Sequence, residues 1–126
     1  MKITKGSDYA LHALAYLIAT KSSQAVNVQT LANKLNVSVT YLSKILTQLT
    51  KANVIKSSSG ARGGYSLVQQ WEDISIYTII TAIDGHQSAF EDSFNHGDEC
   101  KIQKIIVSAE DEMTRSLQEK TLKDLM

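Results

Sequence analysis

The chain has 126 residues, 43% of them hydrophobic, and this sets it at one compact domain. Its formal net charge of zero hides two opposed halves: residues 1–70 hold eight Lys and Arg against Asp8 alone, net +7, and residues 71–126 are net −7. No apolar run is long enough for a transmembrane helix and the N-terminus lacks the apolar core of a signal peptide, so a cytoplasmic protein with no membrane contact is expected, with nucleic acid as the partner of its basic half.

The opening segment places Tyr9, Leu11, Leu14, Ala15, Leu17 and Ile18 on one broad face of a helix. Thr4 or Ser7 is its candidate cap, and the polar run Lys21 to Gln24 ends it. His12 within it reads as a packed or surface side chain rather than a ligand. Next, Asn27 is a candidate N-cap for a short helix with Val28, Leu31, Ala32 and Leu35 inward. Asn36-Val37-Ser38 breaks the period, and Ser38 caps a second helix whose inward stripe is Val39, Leu42, Ile45, Leu46 and Leu49. This is a helix-turn-helix pattern. The outward positions Thr40, Tyr41, Ser43, Lys44, Thr47, Gln48 and Lys51 include no acid, which suits approach to phosphates and base edges.

Directly afterwards, Val54 to Lys56 reads as a strand, Ser57 to Gly64 as a turn and Tyr65 to Val68 as the returning strand. Gly60, Gly63 and Gly64 allow close approach of the backbone to another molecule, with Lys56, Ser59 and Arg62 beside them. A nucleotide-binding loop is excluded here: the loop leads into a strand and no Lys-Ser or Lys-Thr follows it. Beyond Trp71, which is expected over the core, Ile74, Ile76, Ile79, Ile80 and Ile83 form a helix capped near Asp73 or Ser75 and stopped at Gly85. Residues 86–99 are acidic and aperiodic, a surface loop leading to Cys100, the single cysteine. That count excludes an intrachain disulfide and a Cys-x-x-Cys zinc knuckle. Finally Ile102, Ile105, Ile106, Ala109, Met113 and Leu117 stripe a helix of about 19 residues and about 28 Å. A stripe longer than the domain's own core is best buried against a symmetry mate. Thr121 and Asp124 have capping-box spacing for one last turn that folds back or frays.

As a set these residues resemble the Rrf-two family of winged-helix transcription regulators, which includes the iron-sulfur-cluster regulator and the nitric-oxide-sensing repressor. The matching features are Thr4-Lys5-Gly6 with Tyr9-Ala10, the run from Val37 to Leu49, the wing from Gly60 to Leu67 with its Gly63-Gly64-Tyr65, and Ile79 to Asp84 before a cysteine-bearing loop and long helix. The resemblance implies a mainly α fold: a winged helix-turn-helix domain over 1–84 with a two-stranded β-wing, a sensor loop over 85–100, and a dimerisation helix with a C-terminal turn over 101–126. It also implies a homodimer whose recognition helices enter successive major grooves about 34 to 36 Å apart on a near-palindromic operator.

Two departures matter. Cluster-binding relatives carry three cysteines spaced C-x5-C-x5-C; Cys100 resembles the third, while Ser88 and Phe94 stand at the first two places and Gln103 where the regulator has an additional histidine. An iron-sulfur cluster is therefore not expected, nor any other cofactor. At the wing, Ser59 stands where relatives often have arginine, and Arg62 where they often have glycine. Cys100 is left with three roles: a redox sensor favoured by Lys101 and Lys104, an inert thiol, or a metal ligand with His86 or His96.

The function expected is that of a sequence-specific repressor contacting double-stranded DNA through Ser38, Thr40, Tyr41, Ser43, Lys44, Lys51, Lys56, Ser59, Arg62 and Gly63. The alternative is a regulatory module controlled by a docked metabolic protein. No nucleophile, base and orienter stand at a catalytic spacing, so an enzyme is not expected.

Overall fold

The computed structural model describes residues 2–21, 24–86 and 101–126. Helix α1 (Lys5–Thr20) turns Ala10, Ala13, Leu14, Leu17 and Ile18 inward, all of them buried. Helix α2 (Val28–Leu35) begins at Asn27, whose side chain accepts the Thr30 N–H at 2.8 Å. It stops at Asn36 with φ 56, a left-handed conformation that asparagine tolerates better than most residues. Two residues later Ser38 caps α3 (Val39–Lys51) by accepting the Tyr41 N–H at 3.1 Å. Each such cap contributes about 1 kcal/mol. Leu42, Ile45, Leu46 and Leu49 are buried and Val39 is half-buried, so the helix-turn-helix read from periodicity is the one that forms.

Asn53, at φ 61, reverses the chain after α3, and the Val54 N–H returns to the Leu49 carbonyl at 3.1 Å. Strands β1 (Ile55–Ser58) and β2 (Gly64–Leu67) then pair antiparallel, from Ile55 opposite Leu67 to Ser58 opposite Gly64. The pairing reaches further toward the tip than expected, since the turn read as Ser57 to Gly64 shrinks to the five residues 59–63. Ladder bonds need only backbone donors and acceptors, so exposed serines carry them without an apolar pattern. Tyr65 also pairs with Val26 through two backbone hydrogen bonds of 2.8 and 2.9 Å, tying the hairpin to the segment before α2.

After a single 3-10 turn at Trp71–Asp73, Ser75 caps α4 (Ile76–Asp84), which ends at Gly85 with φ 75. Trp71 is half-buried against the core, and Ile79 and Ile80 are buried. Helix α5 (Lys101–Glu119) has the expected 19 residues, and none of them is buried. The last turn folds back rather than fraying. The Ile76 N–H bonds to the Lys120 carbonyl and the Leu122 N–H to the Ile74 carbonyl, both at 2.8 Å, and Leu122 is fully buried in the main core. The Thr121–Asp124 capping box forms as its spacing predicts.

One expectation is corrected at the start of α1. Neither Thr4 nor Ser7 caps the helix with its side chain. Both hydroxyls donate instead to Asp84 at the end of α4, Thr4 Oγ1 at 2.6 Å and Ser7 Oγ at 2.5 Å, and the Thr4 N–H donates to the same carboxylate at 3.0 Å. A carboxylate accepts three donors at once and favours the positive end of a helix dipole. It therefore replaces the local cap.

Candidate nucleic-acid interface

Helix α3 presents Thr40, Ser43, Lys44, Thr47, Gln48 and Lys51 on one open surface with no carboxylate in its lining. The cause is the sequence period: with Leu42, Ile45, Leu46 and Leu49 held inward, every hydrogen-bonding position is left outward. The Thr47 hydroxyl donates to the Ser43 carbonyl at 2.8 Å, so its oxygen remains an acceptor. Gln48 keeps an amide that both donates and accepts. Ser38 is occupied as the N-cap acceptor, which leaves its O–H free to donate to a phosphate.

Tyr41 is placed differently. It is exposed, but its ring lies edge-on against Tyr9 of α1, with centroids 5.8 Å apart and planes at 86°. A Cβ on Gly6 would sit 3.8 Å from the Tyr41 hydroxyl. Tyr41 therefore holds the first turn of α3 against α1 and lies outside the surface that Ser43 and Lys44 share.

At the hairpin tip Ser59, Gly60, Ala61 and Arg62 are all exposed. Gly63 closes the tip, its N–H bonded to the Gly60 carbonyl at 3.0 Å, in a space so tight that a Cβ would strike the Ser58 carbonyl. Lys56 sits lower, opposite Ser66, and lines a cleft between the hairpin and α1 rather than the α3 surface.

Sequence periodicity gave no sign of the Asp84 site, because its three residues are 77 and 80 positions apart. Burial opposes ionisation of Asp84, but the hydrogen bonds from Ser7 and Thr4, with the charge of Lys2, outweigh it and hold the carboxyl below its ordinary value. His12 is a surface residue bonded to the Asp8 carbonyl at 2.8 Å. Of the residues expected on the dimer face, Ile102 and Ile105 are 66% and 70% exposed; Ile106, Ala109 and Met113 are exposed, and Leu117 is half-buried. Cys100, His96, Ser88 and Phe94 lie outside the described residues.

Comparison with known proteins agrees with this geometry. Residues 3–126 match the model of the Rrf2 (Rrf-two) family, described as an iron-dependent transcriptional regulator. The rrf2 protein of Nitratidesulfovibrio vulgaris is 34% identical over 131 residues, covering all of this chain and 87% of its own. The regulator NsrR of Halalkalibacterium halodurans is 28% identical, covering all of this chain and 90% of its own. Among solved structures, CymR, the global cysteine regulator of B. subtilis, superposes with a TM-score of 0.85 at 26% identity, covering 99% of this chain and 95% of that one. These relatives are regulators, not enzymes. The donor set does not fit an iron-sulfur cluster held within one subunit, because the chain has one cysteine where such a cluster takes several thiolates. Among the described residues no three His, Cys, Asp or Glu side chains are grouped to hold a metal ion, and no helix is long and apolar enough to cross a membrane.

Proposed function

The chain belongs to the Rrf2 family of DNA-binding transcriptional regulators, and from that membership we propose that it acts as a homodimeric, sequence-specific repressor on a near-palindromic operator. The observation that carries this reading is the acid-free surface of α3, joined by a tight turn to a glycine-rich hairpin with Arg62 at its tip. Thr40, Ser43 and Lys44 read base edges, and Tyr41 sets the angle at which they enter the groove. Lys44, Lys51, Lys56 and Arg62 contact phosphates, with Ser38, Ser59 and the backbone at Gly63 as hydrogen-bonding supports.

Titration against the DNA upstream of its own gene, over a range of salt, tests the reading. Arg62→Ala should weaken binding to all sequences and lower the salt slope by about one unit per subunit. Substitution of Ser43 or Lys44 should instead change which base pairs are preferred. A salt slope unchanged by Arg62→Ala would remove the wing from the interface.

The α5 stripe supports the dimer: Ile102, Ile105 and Ile106 form a contiguous exposed apolar face of the kind that marks an interface between proteins. Ile105→Glu should convert the dimer to a monomer in sedimentation. Operator affinity should fall by roughly 100-fold, because two half-sites are no longer held by one particle. Far-UV circular dichroism should stay unchanged, since Ile105 lies outside the core. A dimer that survives this charge would place the interface elsewhere.

Cys100 is the proposed sensor, its thiolate favoured by Lys101 and Lys104 nearby in sequence. Cys100→Ser should abolish any change in DNA affinity caused by hydrogen peroxide. An identical response in the serine variant would sink this role.

A further inference from the structure

Between α1 and the root of the hairpin lies a cleft of about 370 Å³, within the size range of small-molecule sites. Leu17, Tyr65, Leu67 and Trp71 form its apolar and aromatic walls, Lys21 and Lys56 are its cations, and no acidic residue lines it. Among the described residues neither lysine is paired with a carboxylate. Lys21 stands at the end of α1 with φ 48, a left-handed conformation usually left to glycine or asparagine. A second hollow of about 420 Å³ shares Ile18, Lys21 and Trp71 with the first, and its other walls are apolar. Lys21 and Trp71 thus stand where the two hollows meet: Lys56 adds a second cation on the side of the first, and the second adds only Ala19, Leu125 and Met126.

We infer that this cleft binds a small amphipathic anion, a carboxylate with an apolar tail, and that its occupancy opposes DNA binding. The carboxylate is held between Lys21 and Lys56 by charge-assisted hydrogen bonds, and the tail passes Trp71 into the second hollow. A free inorganic anion would leave the aromatic walls wet, and a neutral tail would leave both lysines unpaired. The linkage to DNA rests on the function proposed above. Lys56 serves both ligands, and Tyr65 is bonded through its backbone to Val26, the residue before the Asn27 cap of α2. An anion at Lys56 therefore withdraws a phosphate contact from the wing, and reciprocity requires DNA to weaken the anion's binding by the same factor.

Trp71 is the only tryptophan, so its fluorescence reports the cleft directly, without DNA. Titrating the full-length protein with octanoate should change that emission saturably, while 1-octanol and inorganic phosphate should not. Lys21→Met, outside the proposed DNA contacts, should weaken octanoate binding by about tenfold or more, the loss of one charge-assisted contact. Equal responses to octanoate and octanol, or an unchanged octanoate affinity in Lys21→Met, would overturn the site. Octanoate should also raise the Kd for DNA in the parent chain, and by less in Lys21→Met. Saturable octanoate binding with no change in DNA affinity would overturn the linkage alone. Failure to bind any DNA would overturn the repressor reading while the fluorescence titration still decides the cleft.

Discussion

Replacing Gly64 with alanine is expected to destabilise the protein by about 2–4 kcal/mol and to disable the wing. Gly64 is the first residue of β2, with φ +151, and its backbone passes directly against the segment before α2. A Cβ there would overlap the Val26 carbonyl, with the Asn27 backbone nitrogen 2.8 Å away. No flexible side chain can move aside to make room. The alternative is to lose the paired bonds between Tyr65 and Val26, which fix the hairpin to the helix-turn-helix. Thermal unfolding should show a drop of roughly 8–16 °C, at about 4 °C per kcal/mol for a chain of this size. Gly60→Ala is the paired control: its φ of +98 carries a conformational cost, but no atom lies within 4 Å of an added Cβ. It should cost about 1 kcal/mol, in line with the left-handed penalty alone. Equal losses at the two glycines would mean that backbone conformation, not the contact with Val26, governs Gly64.

The second large effect is expected at Asp84. Asp84→Ala removes the acceptor of three hydrogen bonds, leaves the fully buried Ser7 hydroxyl without its partner and strips α1 of its terminal carboxylate. A cost of about 2–4 kcal/mol follows from the unsatisfied donor and the lost cap together. Its pH dependence has a definite sign. The folded-state pKa is lowered from the ordinary 3.8, so the stabilisation is fully present above that value and is lost as pH falls through the lowered one. Denaturant unfolding of the parent chain and Asp84→Asn should thus differ most near neutral pH and converge in acid. Two curves that stay parallel throughout would show that the carboxylate charge contributes nothing. The same clamp ties the start of α1 to the end of α4, and α1 carries the Tyr9 ring that holds Tyr41. Loosening it should therefore also reach the first turn of α3.

Most of the helix-turn-helix was legible from local chemistry. Asn27 and Ser38 each precede an apolar stripe with helical period, and each caps the helix that follows. The hairpin was legible from its glycines, but its strand ends were not, since Ser57 and Ser58 pair through backbone groups that every residue has. The α3 surface was legible for the same reason as its buried side: placing the leucines and isoleucines leaves Ser43, Lys44 and Lys51 no other direction. The contact of the Tyr41 ring with Tyr9 was not legible, because position on the helix does not say which neighbouring element a ring meets.

By itself, then, the sequence determined what acts over a few residues: the helical stripes, the caps at Asn27, Ser38 and Thr121, the glycine-rich tip and the division of charge between the halves, while the choice of Ser75 over Asp73 as the cap of α4 came from the structure. These depend on spacings of one to four residues, within reach of a side chain along its own backbone. Only the tertiary structure decided that Thr4 and Ser7 serve Asp84, that Leu122 returns to the core, and that Lys21, Lys56 and Trp71 share a cleft. Each of these joins residues far apart in the chain. Their pairing follows from how the helices pack against one another, a property of the whole core that no local spacing encodes.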